Sequence, residues 1–348
     1  MKKILSVLLV LVLALTFVGC GSGAGNEGKP NGDTAKDKVA LKIAHTSTPE
    51  NVRHLGAEEV KKYLEAQADK QYELQLYPSS QLGSDKELIE GMQSGNVEMV
   101  ILPVSPLGGF QPLVTMLDLP FFLPDNKDDL LALYKSDAMQ ALFDTTEEAG
   151  VKIIGVWHTG YKQFTANKPL LTPADYKGLK YRTQPSPILI ETVKALGGSA
   201  VNLPFAEVYS ALQTGAVDAQ GDNPLNTVYD MKFNEVQSDI TMTNHGTLDM
   251  LVMVSKKWYD SLPADVQQTV VAAAQEASDI VVDESYEVSN NAMELMKAKG
   301  NKFHEINEEQ RAALQEQTKS VKEYYLNQYG AKAKQLMTAI EQAIQELK

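Results

Sequence analysis

Apolar and polar positions alternate from Val39 to Ala44, and residues 50–66 then carry Val52, Leu55, Val60 and Leu64 at helical intervals. A second alternating run at 72–77 predicts another strand. Ser84 and Glu87 have the spacing of a capping box for a helix that Gly95 closes. Residues 97–102 are apolar on both faces except at Glu98, as a central parallel strand should nearly be. The order β-α-β-α-β opens a doubly wound α/β lobe.

Beyond the prolines at 120 and 124, the pattern predicts one helix over 127–146 and a buried strand over 151–157, and then it restarts. Leu179, Tyr181 and Thr183 alternate with Lys180, Arg182 and Gln184, so a strand presents Arg182 and Gln184 on one face. Pro185 stops that strand. Ser186 and Pro187 suit the cap and first position of a helix ending at Gly197. A helix over 205–214, closed by Gly215, and a strand over 216–220 running into Gly221-Asp222-Asn223-Pro224 complete a second α/β lobe.

Neither proline nor glycine occurs between Pro263 and Gly300, while Val266, Val270, Val271, Ala274, Ile280, Val281, Met293 and Met296 recur at roughly helical spacing. One helix of that length would span on the order of 50 Å and lie across both lobes; a break near Ser278 or Ser285 is the alternative. Residues 307–348 predict a charged amphipathic helix packed outside.

The 348 residues exceed the usual size of one core, which agrees with two lobes. A net charge of -13 disfavours nucleic acid and anionic membrane surfaces as partners. An anionic ligand would therefore need a focal cation, and Arg182, beside a strand end and a helix N-terminus, stands where α/β folds collect anions. An exposed arginine on an edge strand is the competing account. At the N-terminus, Lys2 and Lys3 precede an apolar run to Val18, the pattern of a secretion signal (1–19). Phe17-Val18-Gly19-Cys20 resembles a bacterial lipobox, which makes Cys20, the single cysteine, a lipidation site. Residues 20–38, polar and glycine-rich, would form a flexible tether to the membrane.

No phosphate loop, nucleophile elbow or zinc-type spacing occurs, and the five histidines are scattered. No cofactor, metal or catalysed reaction is expected. Five blocks then carry a resemblance: 77–83 (Tyr-Pro-Ser-Ser-Gln-Leu-Gly), 173–182, 205–218, Asn223-Pro224 and Asn244-His245-Gly246. Together they closely resemble the solute-binding proteins of tripartite ATP-independent periplasmic (TRAP) transporters. Gly160-Tyr161-Lys162 and His45 are most similar to the C4-dicarboxylate branch.

The resemblance implies a two-lobed, periplasmic-binding-protein-like (type II) α/β clamp with inter-lobe strands. Lobe I would take 39–159 and 249–288, lobe II 160–248 and 289–348, and a helix over about 264–299 would bridge them. It also implies that Arg182 pairs with a ligand carboxylate, with Asn223, Phe205, Lys162 and, at a cleft-lining position, His45 contacting the ligand; Gln184 joins this set. From the residues alone, Lys162 could be a solvated loop lysine, Asn223 an Asx turn, and Phe205 mainly core packing. Two departures stand out. Gly221-Asp222 adds one residue before Asn223-Pro224, and Pro103 occupies a place where some branches have a ligand-contacting glutamate.

The expectation is an exported monomer, lipid-anchored on the outer face of the cytoplasmic membrane. It would bind a small organic acid such as malate, succinate or fumarate and deliver it to the small and large permease subunits. A sensory binding protein serving a membrane kinase or chemoreceptor, or a binder of a 2-oxo or sugar acid, is the alternative; an extracellular hydrolase is disfavoured because no activated nucleophile can be named.

Overall fold

A computed structural model describes residues 39–67 and 72–347. The signal sequence, Cys20 and the tether lie outside the described residues. Among the described residues eleven strands form two sheets: β1 (Val39–Ala44), β2 (Tyr72–Tyr77), β3 (Met99–Pro103), β4 (Val151–Tyr161), β5 (Gln163–Ala166), β6 (Lys180–Thr183), β7 (Ser199–Asn202), β8 (Ala219–Asn223), β9 (Asp239–Met242), β10 (Thr247–Ser255) and β11 (Lys302–Glu305). The first sheet has the order β2-β1-β3-β10-β4 and the second β11-β9-β5-β8-β6-β7. In the first, β1 pairs in parallel with β2 and β3, and β10 returns antiparallel between β3 and β4.

The sheets are joined by strands that pass from one to the other. Lys162 alone separates β4 from β5, and residues 243–246 carry β9 into β10. Both crossings lie beside a buried polar network. His158 Nδ1 is 2.7 Å from Asp249 Oδ1, Tyr134 and Thr247 donate to the other carboxylate oxygen, and the Tyr286 hydroxyl meets His158 Nε2 at 3.1 Å. Fully satisfied buried networks of this kind hold an element in one arrangement.

The helix Ala264–Ala298 is continuous. Its first half buries Val266, Val270, Ala273, Ala274, Ala277 and Val281 against the first sheet, and Ala292 and Met296 join the core of the second. The serines that offered a break are hydrogen-bonded instead: Ser278 donates to the Val156 carbonyl at 3.2 Å, and Ser285 to Val281 one turn back at 2.6 Å.

Two expectations need correction. Residues 127–146 form two helices, Lys127–Tyr134 and Asp137–Asp144, because Asn126 caps the first and Ser136, accepting from the Met139 N–H at 3.2 Å, starts the second. The tail also differs. Its helix Glu308–Glu346, kinked at Gly330, is not an outer layer of the second lobe. Leu314 packs with the second sheet, whereas Val321, Tyr325, Ala333, Leu336, Met337 and Ile340 enter the core of the first half, and the Tyr325 hydroxyl donates to the Leu113 carbonyl at 2.7 Å. Spacings of three and four residues make this an apolar stripe, and burying it outweighs the charge on the other faces.

Candidate functional site

In a doubly wound sheet the carboxyl ends of parallel strands and the helix starts that follow them form a crevice. Here Thr46 follows β1, Asn51 caps the helix Val52–Ala66 by accepting from the Arg53 N–H, and Asp85 opens the helix Asp85–Ser94 after β2. From the other half, β6 delivers Arg182 and β8 delivers Asn223. Between them is a cavity of about 10 Å³, room for a single water. Thr46, Arg53, Asp85 and Pro103 line it from one side, and Arg182, Gln184, Phe205 and Asn223 from the other.

Arg182 is buried, 2% exposed. Its Nε and Nη2 donate to the Leu203 carbonyl at 3.3 and 3.1 Å, and Nη1 donates to Asp222 Oδ2 at 3.3 Å. The same carboxylate oxygen accepts the Gln184 N–H at 3.0 Å, so one anion fixes both the arginine and the backbone beside it. Burial draws the Arg182 guanidinium below and pushes the Asp222 carboxyl above their usual values, and their attraction opposes both shifts. Of the five guanidinium N–H groups, three are used, and two remain for a ligand.

The segment before Asn223, where the resemblance implies one additional residue, is irregular. Gln163 pairs with Asn223 and Thr165 with Gln220, so two steps on β5 face three on β8, and the ladder carries a bulge. The Gln220 side chain clamps it, its Oε1 accepting from the Asp222 N–H at 3.0 Å and from Asn223 Nδ2 at 2.8 Å. Gly221 is required there, since a Cβ would stand 2.3 Å from Phe164 Cε1. Asn223 thereby reaches the cavity. Phe205 flanks it while packing edge-on against Phe233, with ring centroids 6.4 Å apart. Pro103 makes the wall apolar at its point.

Lys162 is paired within the fold. Its Nζ lies 3.2 Å from Asp118 Oδ1, which also accepts from Ser105 Oγ at 2.8 Å, and the lysine is 2% exposed. It shares a separate space of about 20 Å³ with Arg182, Asp222 and His245, and Arg182 lines both spaces. His45 does not line either space. Just past the end of β1, Thr46 lines the cavity while His45 is buried, with Nε2 3.0 Å from His54 Nδ1. Burial, followed by the charge of Arg53, pushes the His45 imidazole down to about 3, so it is neutral.

Sequence reasoning missed Arg53, Thr46 and Asp85. The available signal was their position: each falls between the carboxyl end of a parallel strand and the first turn of the helix that follows it.

Two α/β halves joined by short crossings between strands and by a shared helix, with a cavity lined by buried arginines between them, define a solute-binding clamp. The chain belongs to the bacterial extracellular solute-binding protein family 7, which matches residues 43–328. It is 34% identical over 298 residues, 85% of this chain and 89% of the relative, to the C4-dicarboxylate-binding periplasmic protein DctP of Rhodobacter capsulatus. Among solved structures, a TRAP periplasmic solute-binding protein from Desulfovibrio salexigens with bound orotic acid superposes with a TM-score of 0.86 at 35% identity, covering 89% of this chain and 100% of that one. One from Shewanella oneidensis with bound succinate gives 0.82 at 30%, covering 88% and 99%. The protein is thus a solute-binding protein of the TRAP type, a transport component and not an enzyme.

Proposed function

We propose that this chain captures a C4-dicarboxylate such as succinate, malate or fumarate outside the cytoplasmic membrane and hands it to the small and large subunits of a TRAP permease. Arg182 is the primary anchor, Asn223 and Gln184 complete the polar wall, and Phe205 supplies an apolar side. Lipidation at Cys20 would keep the receptor beside its permease. The observation that carries this reading is the buried Arg182 guanidinium, positioned by Asp222 and Leu203, which lines a cavity between the halves and keeps two N–H groups without a partner among the described residues. A planar fork of that kind matches a carboxylate bidentately. Because the cavity is smaller than any such acid, entry requires the halves to separate and then close again about the crossing strands.

Two charge-assisted hydrogen bonds contribute about 1.5–3 kcal/mol each. Calorimetry with succinate and malate should therefore show Arg182→Ala weakening binding by roughly two to four powers of ten. Arg182→Lys keeps the charge and loses the fork, so it should also bind much more weakly. Near-wild-type affinity in both variants would refute the anchor assignment.

A further inference from the structure

We infer that Arg53 is the anchor for the ligand's second acid group and selects dianions over monoanions. This rests on the reading of Arg182 as the first anchor. Arg53 sits in the first turn of the helix Val52–Ala66 and is 5% exposed, yet it lines the same cavity as Arg182. The two guanidinium groups come from opposite halves of the molecule.

Arg53 is under-used within the protein. Its Nη1 donates to Thr46 Oγ1 at 3.1 Å, and its buried Nε has no partner among the described residues. Asp85, the carboxylate in the cavity wall, does not form an ion pair with it. Asp85 Oδ1 instead accepts from the Thr46 hydroxyl at 2.9 Å, and its charge reaches Arg53 and Arg182 only through space. A buried donor without a partner is unfavourable, and so is a cation at the positive end of a 15-residue helix with no acidic residue in its first turn. An anion held against Arg53 relieves both.

The other candidate is already committed. Lys162 has Asp118 at 3.2 Å in a site 2–3% exposed, so its charge is matched within the fold before any ligand arrives. A carboxylate on Arg182 alone touches the second half only. A second carboxylate on Arg53 ties the first half to it, so closure is coupled to a two-ended ligand.

The test compares succinate with butyrate, which has the same chain length and one acid group, by calorimetry on wild type, Arg53→Gln, Arg53→Lys, Lys162→Met and Arg182→Ala. Glutamine keeps a donor for Thr46. Wild type should prefer succinate, Arg53→Gln should lose at least about tenfold more affinity for succinate than for butyrate, and Arg53→Lys should recover part of that preference. The inference is overturned if Arg53→Gln weakens both acids equally, if the preference collapses in Lys162→Met but survives in Arg53→Gln, or if wild type shows no preference. Arg182→Ala separates the two levels: undiminished binding there removes the underlying reading, whereas loss of all binding with an unaltered succinate preference in Arg53→Gln removes this inference alone.

Discussion

Gly221→Ala tests whether the β-bulge places the site. The methyl group would meet Phe164 at 2.3 Å from Cε1, 2.6 Å from Cδ1 and 3.0 Å from Cζ. That ring cannot simply step aside. It is 5% exposed, stacks on His245 with centroids 4.2 Å apart, and meets Tyr176 and Tyr181 edge-on at 5.0 and 5.9 Å. The β8 backbone must move instead, and β8 carries Asp222 and Asn223. Overpacking a well-filled core costs about 1–3 kcal/mol. For roughly 300 ordered residues the unfolding entropy near the midpoint is about 0.6 kcal/mol per kelvin, so Tm should fall by about 2–5 °C. If the shift also moves Asn223 off the cavity and loosens Asp222 behind Arg182, succinate affinity should drop by about tenfold, the value of one hydrogen bond to a charged group. Differential scanning fluorimetry and calorimetry on the same preparation read both quantities. A lowered Tm with unchanged affinity would show that the bulge serves packing alone, and no change in either would refute the steric argument itself.

Acid should destabilise the protein through its buried neutral histidines. Burial pushes His45 and His245 down to about 3, so the stability that depends on their neutral forms is complete above pH 6.5 and falls as pH drops toward 3, by up to about 1.4 kcal/mol per pH unit for each. Asp230, raised to about 6 chiefly by burial, acts in the opposite sense: its contribution is lost as pH rises through 6. Denaturant unfolding from pH 4 to 6 should show stability rising with pH, more steeply in Asp230→Asn, and a flat profile in both proteins would contradict the account. Cys20→Ser should move the protein from the membrane fraction to the soluble fraction of cells that export it, and retention of the variant in the membrane fraction would exclude the lipid anchor.

How far the fold could be read from the sequence follows the range of the interactions involved. The parallel strands of the first sheet and the helix Ala264–Ala298 rest on local pattern, an apolar period and the absence of breakers over many residues, and such features are visible in a single sequence. The split at Ser136 was missed because a cap residue inside an apolar period announces itself weakly. The tail was misplaced for a different reason. Its stripe from Val321 to Ile340 is legible as a stripe, but its partners Leu113, Leu142 and Phe143 lie about 200 residues away, and nothing local says which half they belong to.

The same distinction governs the site, where charge type is local and charge availability is not. Arg182 and Gln184 could be placed together because they share one face of a strand that ends beside a helix start, whereas Phe205 and Asn223 joined them only through the family resemblance. Whether a cation is free to serve a ligand depends on what folding brings beside it. Lys162 looked free until Asp118, 44 residues earlier, closed on it, and Arg53 attracted no notice because its value lies in a contact it does not make. In a chain of net charge -13, most cations can find a carboxylate, so an arginine 95% buried with an idle donor is the exception. That exception faces Arg182 across the gap between the halves. One acid group on each arginine would let the ligand itself supply the charge that draws the two walls together.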